Sequence, residues 1–295
     1  MSFHFVSSLL VAIVLIGPVV GSSSAAEPAS QGPVKFARFK VGDQTMFGIV
    51  EGDTVRKIDG SIFGKWQPTD ETHKLSEVML LVPTHARQVF ALAGNYKSHL
   101  NQTEIPAKFQ IPQPFLKPPS SLLRDQGKIV LPGDATEEVH YEAELVIVIG
   151  KRARQVSKED ALDYVLGVTC GNDVSERFWQ NDAEHKDVQW WRAKGADTFG
   201  PCGPFIATGI NYDDLLITLR LNGKVVQQER TSQMIHDVAS QVSFISRYVT
   251  LLPGDLIFTG TSGTTSALHS GDEVEVEIEG VGVLRNRVVR AKPSP

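Results

Sequence analysis

A mainly β chain of the α+β class, with a small N-terminal β domain ahead of a larger one, is the fold the sequence predicts. Three observations predict it. Short apolar runs, alternating or continuous, are separated by Gly, Asp and Asn turns; an Asn222-Gly223 pair joins two such runs; and a single long stretch carries apolar residues at helical spacing. With 295 residues, 41% of them hydrophobic and 21% charged, the chain can bury a substantial core. A formal net charge of −5 without a dense Lys/Arg block argues against a nucleic-acid or membrane-surface partner and leaves a small solute.

Leu9 to Val20 is apolar but too short to span a bilayer comfortably, and Gly21-Ser-Ser-Ser-Ala-Ala-Glu27 follows, with Ser24 and Ala26 in the small-x-small pattern of a cleavage site. Residues 1–26 therefore read as a signal peptide, and a periplasmic or secreted protein free of the membrane after cleavage is expected. An uncleaved anchor is the competing reading, because only His4 and the amino terminus can supply positive charge ahead of the apolar run. Residues 27–33 read as a linker. The small domain, 34–84, is a meander of Val34–Val41, Met46–Val50 and Thr54–Ile58, divided by Gly-Asp and Glu-Gly-Asp turns.

The larger domain, 85–295, opens with a strand over Val89–Ala93 that stops at Gly94-Asn-Tyr-Lys-Ser-His99. Asn101–Pro114 reads as a loop or short helix, and the Pro-stiffened stretch Pro114–Pro119 carries Lys117 into the body. Ser157-Lys-Glu-Asp160 has capping-box spacing ahead of a helix with Ala161, Leu162 and Val165 inward, and the chain returns as an apolar strand ending at Asp173. Val174–Gly200 loses periodicity yet holds Trp179, Trp190, Trp191 and His185, as a cover over a site would, or as a surface excursion pinned by its tryptophans would.

Ile217–Leu221 and Lys224–Gln228 form a hairpin about Asn222-Gly223, a turn that wants positive φ. Thr231 or Ser232 is expected to cap a helix through Leu251, with Ile235, Val238, Val242, Ile245 and Val249 inward. Asp255–Thr261 is a strand reaching a Gly/Thr/Ser loop, and Val274–Ile278 pairs with Val281–Val289. Cys170 and Cys202, the only cysteines, read as buried free thiols with no zinc spacing.

Within Val139–Gly150 two carboxylates interrupt a buried strand. Glu142 and Glu144 share a face with Val146 and Val148, while Tyr141, Ala143, Leu145 and Ile147 line the other. Like charges on an apolar face repel and are poorly hydrated unless a cation lies between them, which makes a hard divalent metal the simplest remedy. An edge strand with solvated glutamates is the alternative. Asp173, at the end of the next strand, offers a third oxygen, and three carboxylates suit Mg²⁺ or Mn²⁺ better than Zn²⁺. The Thr259–Thr265 loop offers hydroxyls and backbone N–H groups to a carboxylate, or serves as a turn only.

Gly94-Asn-Tyr-Lys-Ser-His99, Phe115-Leu-Lys-Pro118, His140-Tyr-Glu-Ala-Glu144, Gly171-Asn-Asp173, Lys194-Gly-Ala-Asp-Thr-Phe-Gly-Pro201, Pro253-Gly-Asp255, Thr259-Gly-Thr261 and Gly271-Asp272 occur in this order. Together they resemble the fumarylacetoacetate hydrolase family, and within it the branch of 2-hydroxyhepta-2,4-diene-1,7-dioate isomerases and acylpyruvases. The resemblance implies a mixed β-sandwich roll, commonly a homodimer, that binds Mg²⁺ or Mn²⁺ and acts on small 2-oxo acids. It implies Glu142, Glu144 and Asp173 as metal ligands and His99, Lys194 and Gln102 as catalytic positions. Arg177, Gln180, Thr261 and Lys117 fall at substrate-contacting positions.

The reactions implied are acylpyruvate-type C–C hydrolysis, or isomerisation or decarboxylation through an enolate stabilised by the metal as Lewis acid. A ureidoglycolate lyase and an exported, non-catalytic metal- or carboxylate-binding protein are the alternatives. The pattern departs at three places: Gln102 stands where hydrolysing members carry Glu, Phe178 interrupts the expected Arg-Asp-x-Gln, and Ser262 replaces Pro. Gln102 can orient His99 but cannot stabilise its cation.

Overall fold

The computed structural model describes residues 33–292 together with Met1; the predicted leader and linker lie outside them, apart from Met1 and Pro33. A twelve-stranded sheet runs in the order Trp66–Lys74, Thr54–Gly60, Gln44–Glu51, Val34–Val41, Gly200–Thr208, Val165–Asn172, Ala143–Ile149, Leu256–Phe258, Val89–Leu92, Pro114–Lys117. Met79–Leu80 and Leu122–Leu123 pair off this path, on Val34–Val41 and Gly200–Thr208. A five-stranded sheet runs Lys224–Arg230, Leu216–Leu221, Glu273–Ile278, Gly282–Arg290, Lys128–Leu131, and Val139–His140 pairs with Ser175–Glu176.

The meander of the first strands is joined to the rest through Val34 to Phe36, which pair with Thr208 to Ile206.

All seven residues of Ala143–Ile149 are buried, and their alternation sends the two faces into different cores. Leu145, Ile147 and Ile149 pack with Leu219, Val276, Ile278 and Leu284 between the sheets, joined by Val242 and Ile245 of the helix Val238–Tyr248. Val146 and Val148 pack on the opposite face with Phe36, Val89, Ile206 and Phe258. Each such side chain contributes roughly 1.5–3 kcal/mol by leaving water, so register here is strongly specified. Glu144 belongs to this central strand and Glu142 lies just before it, both buried rather than on a solvated edge.

Several local readings are corrected. Ser157 does bond Asp160, through its Oγ at 2.9 Å to Oδ2, but only a 3₁₀ turn follows, Ala161–Tyr164, and Val165 already begins the returning strand. The long helix starts at Val238, capped by Asp237, whose carboxylate accepts the Ser240 N–H at 2.7 Å. Thr231 instead accepts Leu215 N–H through its hydroxyl at 2.8 Å, and Ile235 N–H goes to Asn95 O at 2.8 Å, which holds the intervening residues out of the helix. Trp66–Lys74, Lys128–Leu131 and Gly200–Thr208 are strands that local pattern does not announce.

The Asn222-Gly223 turn has φ of 51° and 79°, as a tight hairpin needs. Cys170 and Cys202 are buried and free. Cys170 pairs with Gly203 and Cys202 with Gly171, and the two thiols lie in cores on opposite faces of the sheet.

Candidate functional site

The antiparallel pairing of Ala143–Ile149 with Val165–Asn172 brings the carboxylates together. Glu144 stands opposite Gly171, and beyond the ladder Asp173 N–H donates to Glu142 O at 2.9 Å. One oxygen from each of Glu142, Glu144 and Asp173 lies within 4.8 Å of the others, and all three residues are buried. Two lysines flank them. Lys194 Nζ donates to Glu142 Oε2 at 2.6 Å and Asp173 Oδ2 at 2.8 Å; Lys117 Nζ donates to Asp173 Oδ1 at 2.6 Å, to Phe199 O at 3.2 Å and to Lys194 O.

Arg177 Nη2 meets the other oxygen of Glu142 at 2.6 Å, while its Nη1 donates to Gln180 Oε1 at 2.7 Å. Burial opposes the charge on Glu142, yet the Lys194 ammonium and the Arg177 guanidinium hold its carboxyl well below the usual range. Glu144 goes the other way: burial first, then Asp173 and Glu142, push it well above. Burial lowers Lys117, with Asp173 opposing, whereas for Lys194 the two carboxylates outweigh burial and raise it.

Glu144 Oε2 accepts the Gly260 N–H at 2.8 Å, but Oε1 is buried without any hydrogen-bond partner. An orphaned carboxylate oxygen among two more carboxylates is costly unless a cation takes it up. The donor set, all oxygen, fits a hard divalent ion. Glu142, Glu144 and Asp173 thus form a buried acidic triad able to hold one, as the alternation of the strand predicts.

Through Glu142 alone the triad borders a cavity of about 440 Å³, lined also by His99, Gln102, Gln180, Lys194 and Thr261, with Leu92, Phe109, Phe115 and Trp190 among its apolar walls. His99, Gln102, Lys194, Gln180 and Thr261 therefore converge as expected from sequence. Arg177 reaches the site through Glu142 and lines a neighbouring polar cavity of about 490 Å³ with His140 and Thr265. Lys117 is placed differently. Its contacts are Asp173 and two carbonyls, and it lines the groove behind the triad instead of the 440 Å³ cavity.

The Thr261 hydroxyl donates to Ala143 O at 2.9 Å and accepts Gln227 Nε2 at 3.1 Å, so its proton is spent on the strand. Gln102 is exposed and makes no side-chain hydrogen bond among the described residues.

Residues that sequence reasoning passed over hold these groups in place. Gln227 ties Ala143 N–H to the Thr261–Ser262 loop, and nothing local in the sequence sets it apart from the neighbouring Gln228; only the fold shows that it is buried. Glu176, fully buried, caps the helix Arg177–Asn181 by accepting Trp179 N–H and also accepts Thr136 N–H, which fixes the start of Arg177. Asp187 accepts the N–H groups of Arg192 and Ala193 at 2.9 and 2.7 Å, just ahead of Lys194. Arg192 stacks over Trp179 at 4.2 Å. The stretch 174–200 is thus folded onto the body, with Trp179 buried, Trp190 on the cavity wall and Trp191 exposed.

A mixed β roll with a buried acidic triad beside a lysine defines a class of fold whose site is able to hold a divalent ion. Residues 88–289 match the family described as fumarylacetoacetate (FAA) hydrolase, C-terminal, and residues 34–83 match Rv2993c-like, N-terminal. The chain belongs to the fumarylacetoacetate hydrolase family. It is 40% identical over 269 residues to Protein Rv2993c of Mycobacterium tuberculosis, covering 87% of this chain and 98% of that one. It resembles the crystal structure of 2-hydroxyhepta-2,4-diene-1,7-dioate isomerase from Mycobacterium marinum with TM-score 0.79 and 41% identity, over 87% of this chain and 98% of that one. Maleylpyruvate hydrolase from Sphingobium sp. SYK-6, in complex with manganese(II) and pyruvate, is similar with TM-score 0.71 and 28% identity, over 88% of this chain and all of that one, 100%.

Proposed function

We propose that the protein is a divalent-metal-dependent enzyme that enolises a small 2-oxo acid, with isomerisation as its reaction and acylpyruvate-type C–C hydrolysis as the second possibility. The observation that carries this reading is the orphaned Glu144 Oε1 within a buried carboxylate triad at the wall of a cavity that also holds Lys194 and His99. Glu142, Glu144 and Asp173 would hold Mg²⁺ or Mn²⁺, which when bound supplies Lewis-acid charge next to a 2-oxo carboxylate.

The chain's own groups do the remaining work. Lys194, kept cationic by Glu142 and Asp173, adds positive charge where the oxo oxygen gains electron density. Gln180 gives its Oε1 to Arg177 and keeps its amide N–H groups for a substrate oxygen. His99 Nε2 is the base for the proton on the carbon next to the oxo group. Phe109, Phe115 and Trp190 restrict water around the reacting carbon.

The test is the ultraviolet absorbance of the enol forms of oxaloacetate and acetylpyruvate, with Mg²⁺, with Mn²⁺ and with chelator. Chelator-sensitive consumption that Glu144→Ala abolishes while its fold persists is expected. Consumption indifferent to chelator overturns the reading, and acetylpyruvate cleavage puts hydrolysis first. If neither compound is consumed, lyase action on ureidoglycolate and simple carboxylate binding move ahead. A homodimer and removal of residues 1–26 on export belong to the same proposal, checked by light scattering and by the amino-terminal sequence of native material.

A further inference from the structure

We propose that Ser98 and the turn at Gly263 are the positioning device of His99, in place of an acidic side chain; this rests on His99 being the base of the reaction proposed above. His99 Nδ1 lies 2.8 Å from Gly263 O. A carbonyl only accepts, so Nδ1 carries the ring proton and Nε2 presents its lone pair, 3.9 Å from Glu142 Oε1. Gly263 N–H in turn donates to Ser98 Oγ at 3.1 Å, so neighbouring residues on one segment hold both ends of a single peptide turn.

The turn is itself clamped. Gly260 N–H is on Glu144, the Thr261 hydroxyl on Ala143 O, Gln227 Nε2 on Ser262 O at 2.5 Å, and Thr265 Oγ1 accepts Arg177 Nη2 at 2.9 Å. Gly263 has φ of 59° and open space where a Cβ would point, so backbone conformation and not packing is what a side chain there would disturb. Among the described residues Glu142 is the only carboxylate paired with His99, while Glu104 is exposed.

A neutral carbonyl fixes the tautomer and the ring plane while adding no net charge. That suits a base that takes a proton and returns it. The proton on the carbon beside the oxo group passes to Nε2, its C–H pair becomes the carbon–carbon double bond, and the carbonyl π pair moves to oxygen. Return of the same proton to oxygen or to a further carbon completes an isomerisation with no co-reactant.

Side-chain ¹⁵N–¹H NMR of the histidines tests this, with the His99 signals assigned by their loss in His99→Gln. The wild type should show the Nδ1–H tautomer, and Gln102→Glu should leave it unchanged. Ser98→Ala should mix the tautomers and lower kcat about tenfold with KM and Mn²⁺ affinity retained, and Ser98→Thr should restore both. An Nε2–H tautomer in the wild type overturns the proposal, as does a Gln102→Glu variant that moves the His99 signals and raises kcat. If no 2-oxo acid is turned over, the reaction reading falls, and the tautomers still decide whether Ser98 and Gly263 orient the ring.

Discussion

Glu144 illustrates how one residue carries both the cost and the use of the site. Its carboxyl is fully buried, takes one N–H from Gly260, and has burial, Asp173 and Glu142 all opposing its ionisation. Glu142, a strand position away, escapes this because Lys194 and Arg177 each donate to it at 2.6 Å. The metal-free protein therefore keeps a proton on Glu144 from its ordinary value near 4.5 up to the raised one. A divalent ion needs the carboxylate, so binding expels that proton.

The sign follows: metal affinity rises with pH through this window and levels off above it. Calorimetric titration with Mn²⁺ above the ordinary carboxylate range, in buffers of different ionisation enthalpy, should show proton release on binding that Glu144→Gln removes. An affinity that is flat with pH would refute the assignment. Glu142 and Glu144 were legible in the sequence because alternation exposes a charge on an apolar face, and Asp173 because it closes the next apolar strand. That Lys117 enters the body was also legible, in its Pro-stiffened stretch, but its place against Asp173 was not; only the pairing of its strand with Val89–Leu92 and the approach of Asp173 show where it ends.

At the scale of elements, long-range partners decide what local pattern leaves ambiguous. Gly200–Thr208 contains Gly200, Pro201, Gly203 and Pro204, a composition that argues against a strand, yet it pairs with Val34–Val41 and Val165–Asn172 and is largely buried. The helix after the hairpin was legible in its apolar face, Val238, Val242 and Ile245, but its start was not. Thr231 and Asp237 are both good caps, and the hydrogen bond from Leu215 N–H to Thr231 settles which one serves the helix.

Burial works against the charge on Asp237, but Lys158 and the Ser240 contacts prevail and its pKa falls below 3.8. With the folded value below the unfolded one, the contribution is present above the unfolded pKa and is lost as pH falls through the folded pKa. Asp237→Ala should cost about 1 kcal/mol in urea unfolding at neutral pH, and the gap from wild type should narrow at about pH 3. Asp237→Asn should recover most of the loss at neutral pH. Equal stability of wild type and Asp237→Ala would mean that the cap does not hold the helix.

For the whole molecule, the triad sits where the chain's most distant parts meet. Glu144 comes from the central strand, Glu142 from the residue just before it and Asp173 from the residue just after its neighbour. The Gly260 turn arrives from the strand Leu256–Phe258, and Lys194 from the stretch folded over the site. No part of this assembly survives unfolding, so an ion held here stabilises the native state alone. At a free concentration one hundred times its Kd it should add about 2.7 kcal/mol. For a chain of this size that corresponds to a rise in Tm of roughly 4 to 5 °C.

The Glu144→Ala variant separates this effect from general salt. It removes a carboxyl that the metal-free fold ionises only at a cost, but also the acceptor of the buried Gly260 N–H, so without metal its Tm should stay near or somewhat below that of wild type. With Mn²⁺ it should gain little. Differential scanning calorimetry of both proteins, with Mn²⁺ and with chelator, reads all four values. An equal Mn²⁺-dependent rise in the two would place the ion elsewhere, whereas a rise confined to wild type ties the stability of the fold to the same oxygen atoms that the proposed chemistry uses.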